Sequence, residues 1–203
     1  MKIRLACIAL LLLAAALAQA ASLHVEIDNP WVHVTRVILA PHEKLPAHDY
    51  SESVVVYLSD NGSRKDGDTA HFAPGKRSDE NTTDHPAEEV IVELKPGAPP
   101  HPPHSYSRDP VRLDPEHHTV DFRNDRVRVL RTVLVPHLKS PLHDHPPYVV
   151  VYLTELHTTM AITGGRTVDN RRHKGEVAWR DAMQHATENI GSQTASEIQV
   201  ELK

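Results

Sequence analysis

Alternation between apolar and polar positions predicts a chain built of strands. Val127, Val129 and Val133 alternate with Arg128 and Arg131, a period of two that buries one face. Val149 to Leu153 is an unbroken apolar run rich in β-branched residues, the pattern of a strand covered on both sides. Near the end, Ile198, Val200 and Leu202 alternate with polar residues in a last strand. Gly164 and Gly165 separate two strand-like stretches and predict a hairpin turn. No segment carries a helical stripe of useful length, and 16 prolines break up long helices. Short strands with regularly spaced turns imply an all-β sandwich or barrel.

The pattern occurs twice. Asn29 to Leu58 aligns with Asn124 to Leu153 at an offset of 95, and Glu89 to Lys95 aligns with Glu197 to Lys203 at an offset of 108. The first copy is therefore 13 residues shorter between these anchors. A segment dense in proline, with His101, His104, His117 and His118, lies between the copies. It reads as an extended linker with polyproline character and solvated histidines. The resulting division is a leader (1–20), a first repeat (21–95), a linker (96–119) and a second repeat (120–203).

The leader has the layout of a secretory signal peptide. Lys2 and Arg4 precede an apolar run from Leu5 to Leu17, and Ala18-Gln19-Ala20 supplies small residues for cleavage after Ala20. The run is too short for a bilayer, which disfavours the alternative of an uncleaved anchor. A periplasmic or secreted location follows as the expectation. Cleavage would remove Cys7, the single cysteine, so disulfides and thiolate ligands are excluded from the mature chain. It would also shift the net charge from −5 to −7, because Lys2 and Arg4 leave with the leader. An acidic chain of this kind argues against nucleic acid and anionic membrane as partners.

Histidine is abundant, with 16 residues. His143 and His145 flank Asp144, and on a strand residues i and i+2 project to one face. Forty residues on comes His185, with Asn189 four residues after it. A third imidazole from another strand can close one side of a metal ion and leave the other side to water or substrate. Zinc, iron(II), copper, nickel and manganese all suit such a donor set.

At these residues the sequence resembles the cupin superfamily. The second repeat supplies Pro136, His143, His145, Gly175, His185 and Asn189 in the order of the two cupin motifs. The resemblance implies two tandem cupin-type double-stranded β-helix barrels, a bicupin, that pair with each other inside one chain and can self-associate further. It implies a divalent metal on His143, His145 and His185, with iron(II) favoured, and a small-molecule substrate or ligand. The reactions open to such a site include dioxygenase-like oxidation and isomerase-like proton transfer. Non-catalytic binding of a small molecule or metal, and a structural role with a vestigial pocket, remain the alternatives.

The departures from the family pattern are informative. The usual carboxylate ligand after the His pair is replaced by Val149 and Val150, with Glu155 as a candidate substitute. The turn glycine is His137, and the residues expected before the third histidine are Asp181 and Met183. In the first repeat the positions of the three ligands hold His48, Tyr50 and Arg77, and a guanidinium cannot ligate a cation. That repeat should be metal-free, with Arg77 in a salt bridge. Tyr148, Tyr152 and Trp179 are expected in packing or along the pocket. His42 and His137 should be surface turn residues, and Asp49 and Asp144 turn or edge partners. Arg171 to Lys174 should form a solvated loop.

Overall fold

A computed structural model describes residues 21–100 and 107–203. The signal-peptide expectation, and His101 and His104 of the linker, lie outside these residues.

The first repeat forms β1 (Ser22–Asp28), β2 (Val32–Leu39), β3 (His48–Tyr50), β4 (Ser53–Tyr57), β5 (Thr69–Phe72), β6 (Gly75–Arg77) and β7 (Ala87–Leu94). One helical turn, α1 (Pro110–Leu113), follows, with Asp109 as its N-cap. The second repeat begins with β8 (His118–Arg123), β9 (Val127–Leu134), β10 (His143–His145) and β11 (Tyr148–Tyr152). It continues through β12 (Leu156–Ile162), β13 (Arg166–Arg172), β14 (Val177–Arg180), β15 (Met183–Asn189) and β16 (Ala195–Leu202). No helix of the described residues is long and apolar enough to cross a membrane.

The repeat survives as pairing register. The first copy has an antiparallel sheet in the order β1-β2-β7-β4-β5, and the second has its counterpart, β8-β9-β16-β11-β14. Val34 faces Val92 in the first, and Val129 faces Val200 in the second. The extra residues of the second copy lie between Leu153 and Val177, where the chain makes the β12–β13 hairpin. Its turn uses Gly164 and Gly165 at φ +105° and +91°, a backbone region that costs L-residues energy and glycine almost nothing. The hairpin extends a second sheet to four strands, β10-β15-β12-β13, whereas the first copy has only the ribbon β3-β6.

The continuous apolar runs are explained by how the two large sheets meet. Val32, Val34, Val54, Val56, Val90 and Val92 pack with Val127, Val129, Val149, Val151, Ile198 and Val200 in one cluster, each with no exposed surface. Trp31 and Trp179 stack across this junction with centroids 5.5 Å apart and planes 2° apart. Equivalent arginines cap it reciprocally. Arg36 donates to the Gly175 carbonyl at 2.6 Å, and Arg131 donates to the Gly67 carbonyl at 2.7 Å. Such self-complementary contacts are the mark of a twofold interface, here between two halves of one chain.

Two expectations from alternation need correction. Arg128 does not point to solvent; it is 4% exposed and bonded inside the second repeat. The polar residues of β16 are not outward either, since Gln199 and Glu201 are buried. The reason is that both faces of this sheet are covered. Ile198, Val200 and Leu202 meet the first repeat, and the polar alternates look into the space between the sheets of the second.

Candidate metal centre

Two short strands bring the histidines together. β10 pairs with β15 so that His143 faces His185 directly, and His145 lies two residues along on the same face. Ring centroids are 4.6 Å apart for His143 and His185, 4.8 Å for His143 and His145, and 5.2 Å for His145 and His185. One nitrogen from each ring falls within 4.8 Å of the others, and all three residues are buried. His137 keeps the turn before β10 by adopting φ +65°, as its counterpart His42 does at +59°. Asn189 ties β15 to the loop behind it by donating to the Leu134 and Gln193 carbonyls at 2.8 and 2.9 Å.

Each ring is held differently. His143 Nδ1 lies 2.8 Å from the Pro141 carbonyl, so Nδ1 carries the proton and Nε2 is the nitrogen that would serve as ligand. His145 Nδ1 lies 2.7 Å from Glu201 Oε1, both side chains being fully buried. The other Glu201 oxygen accepts from Arg128 Nε at 2.5 Å, and Arg128 reaches Asp109 at 3.0 Å. A carboxylate behind an imidazole fixes its tautomer and raises its basicity, the usual support for a metal-ligating histidine. His185 has no hydrogen-bond partner on either ring nitrogen among the described residues, although it is 4% exposed. A buried imidazole with both nitrogens unsatisfied is costly, and coordination to an ion would satisfy it. Burial first, then the neighbouring imidazoles, pulls the His185 basicity well down, and burial also lowers that of His143. The rings of His143 and His185 thus favour the neutral state, which is the one that binds metal.

The other expected residues fall as follows. Val149 and Val150 are core residues of β11 and offer no ligand. Glu155 is not a substitute ligand; it is two-thirds exposed and pairs with His173 at 2.8 Å. Trp179 belongs to the junction between repeats, whereas Tyr148 and Tyr152 line the cavity beside the histidines. Asp144 faces away from the imidazoles and accepts from Ser107 Oγ and Arg108 N at 3.1 and 3.2 Å. In the first repeat, Arg77 binds Asp79 at 2.9 Å, and its guanidinium lies 4.1 Å from the Tyr50 ring centroid. It lies 4.3 Å from that of Phe72, so a packed ion pair occupies the place of the third histidine.

Sequence reasoning missed three residues. His118, expected as a solvated linker residue, is 2% exposed and sits 5.1 Å from the His143 ring. Burial pulls its basicity down to about 4. Glu201 and Arg128 were hidden because each sits between valines or leucines in a strand. The available signal was a charged residue at a position that alternation alone would send to solvent.

No protein-family model matches the chain, and no curated protein matches it. Solved structures do. AerE from Microcystis aeruginosa is 13% identical, covers 93% of this chain and 95% of its own, and has a TM-score of 0.67. A variant of oxalate decarboxylase from Bacillus subtilis is 13% identical over 89% of this chain and 72% of its own, with a TM-score of 0.62. A cupin 2 conserved barrel domain protein from Leptotrichia buccalis is 12% identical over 90% and 89%, with a TM-score of 0.56. The class that the strands define is a nearly all-β protein with a buried three-histidine group. The fold of the chain is thus similar to that of cupin barrel proteins.

Proposed function

We propose that this is an exported bicupin whose second barrel holds one divalent metal ion on His143, His145 and His185 and acts on a small molecule. The observation that carries the reading is His185, buried among two other imidazoles with neither ring nitrogen satisfied among the described residues. Iron(II) is the first choice, with zinc, manganese, nickel and copper as the others that three neutral imidazoles suit. An ion held this way would supply Lewis acidity and, if redox-active, a route for electrons from an oxidisable molecule to dioxygen. The chain's own residues orient and enclose. Glu201 sets the His145 tautomer, the Pro141 carbonyl sets that of His143, and Tyr148, Tyr152 and Met160 wall the space beside them. The reaction class under this reading is dioxygenase-like oxidation.

A second reading, non-catalytic binding, is favoured by one feature. Both oxygens of Glu201, the carboxylate bonded to a member of the cluster, are engaged, by His145 and Arg128. That makes it a positioning group rather than a proton carrier. The two readings separate on turnover: a metal-dependent activity lost in His143→Ala and His185→Ala supports the enzyme, and a metal- or ligand-dependent rise in melting temperature without turnover supports the binder. The assignment of the metal to His143 and His185 fails if those variants keep stoichiometric metal.

A further inference from the structure

Beside the histidines the free space is about 20 Å³, enough for a water molecule or so. Next to it opens a second cavity of about 420 Å³. The two share Met160, Asn170 and Arg180 in their walls, so the larger one, hereafter the vestibule, adjoins the space beside the histidine cluster. Its walls carry four arginines, Arg166, Arg171, Arg172 and Arg180, against one carboxylate, Asp169. In a chain of net charge −5 this is a local reversal of sign.

The arginines are unequally satisfied. Arg171 lies 3.7 Å from Asp169, and Arg172 lies 3.5 Å from Glu176. Arg166 and Arg180 have no carboxylate within 4.0 Å among the described residues. Arg180 is half-buried and donates to the Tyr152 hydroxyl at 3.3 Å. Glu197, across the sheet, takes its hydrogen bond from Gln199 at 2.7 Å, and burial pushes its carboxyl up to about 7. A half-buried guanidinium with most of its five N–H groups unspent, opening on a cavity, is a site for an anion.

The repeat provides an independent argument. Arg166, Arg171 and Arg172 lie on β13, in the hairpin that only the second repeat has. The counterpart of Arg180, at offset 108, is Phe72. The repeat that has three histidines is the one that has the arginine vestibule, and the repeat that lacks the first lacks the second.

We infer that the vestibule recognises a small organic carboxylate, anchored by Arg180 with Arg166 at the mouth, whose other end reaches toward the histidine cluster. This deepens the small-molecule reading above and rests on it for the role of the histidines, but the anion site has its own residues and its own test. A guanidinium–carboxylate pair has two parallel N–H···O bonds, so the acid is preferred over its neutral amide. With only about 20 Å³ beside the histidines, the bulk of the molecule occupies the vestibule.

The test is calorimetric titration of the full mature chain with benzoate and succinate, and with benzamide and succinamide as neutral controls. At least one acid should bind and its amide should not. Arg180→Gln should weaken acid binding by about ten- to hundredfold, as loss of a charged hydrogen-bond pair does. Arg166→Gln should weaken it by a smaller factor; this side chain is exposed, so its replacement leaves folding intact. Metal content should be unchanged in both variants. Equal binding of acid and amide, wild-type affinity in both variants, or no binding of either acid would overturn the inference. Arginine-dependent acid binding in a folded native protein that holds no metal, even after divalent ions are added, would uphold it while the metal reading failed alone.

Discussion

Glu201 Oε1 lies 2.7 Å from His145 Nδ1, and neither side chain has any exposed surface. The carboxylate comes from the last strand and the imidazole from a three-residue strand near the middle of the repeat. Arg128 completes the line by holding the second Glu201 oxygen at 2.5 Å. Glu201→Gln keeps the shape and offers an amide in place of the carboxylate. Metal affinity should fall about ten- to hundredfold, the usual effect of losing the partner behind a ligating histidine. Competition with a fluorescent chelator measures it, and an unchanged affinity would remove the positioning role assigned to Glu201.

Leu94 and Leu202 hold the same place in the two repeats and are 2% and 5% exposed in the shared apolar cluster. Replacing either by Ala should cost about 2–4 kcal/mol, the range for a buried leucine. Because the cluster spans both repeats, each variant should lower one common urea transition. Two separate transitions, with each substitution moving only one, would show that the repeats fold independently.

Arg77 fills the first repeat's counterpart of the third histidine, between the rings of Tyr50 and Phe72. Arg77→Ala should leave Asp79 without its ion-pair partner and lower stability by about 1–3 kcal/mol. The metal stoichiometry of the chain should not change. A fall in metal content on this substitution, in protein that remains folded, would show that the first repeat takes part in binding.

Glu89 is 5% exposed in the first repeat, and burial together with the nearby Asp79 charge pushes its carboxyl up to about 7 from 4.5. The folded state therefore keeps a proton that the unfolded chain has already released between those values. Stability from this group is full below about 4.5 and is lost as pH rises through about 7. Glu89→Gln should be neutral at pH 4 and stabilising at pH 8, by roughly 1–3 kcal/mol. Denaturant titrations at the two pH values check the sign.

How much of this was legible in the sequence follows from what each residue is covered by. The repeat, the Gly164-Gly165 turn and the three histidines could be read because strand periodicity and offset alignment are local properties. The packing of the two sheets on each other was foreshadowed by the unbroken run around Val149 to Leu153. Glu201 and Arg128 could not be placed, because alternation assigns faces and does not say that both faces are buried. His118 was obscured by its proline-rich surroundings; its burial comes from the contact of β8 with β9 and its proximity to His143. The arginine vestibule needed the hairpin and β14 brought together, a relation between segments that no local pattern encodes.

The most direct test of the central claim is elemental analysis of the purified native chain beside His143→Ala and His185→Ala. The native protein should hold one divalent ion per chain, and both variants should lose it. Stoichiometric metal in the variants, or a fully folded native protein that holds no metal and is unchanged when divalent ions are added, would contradict that claim.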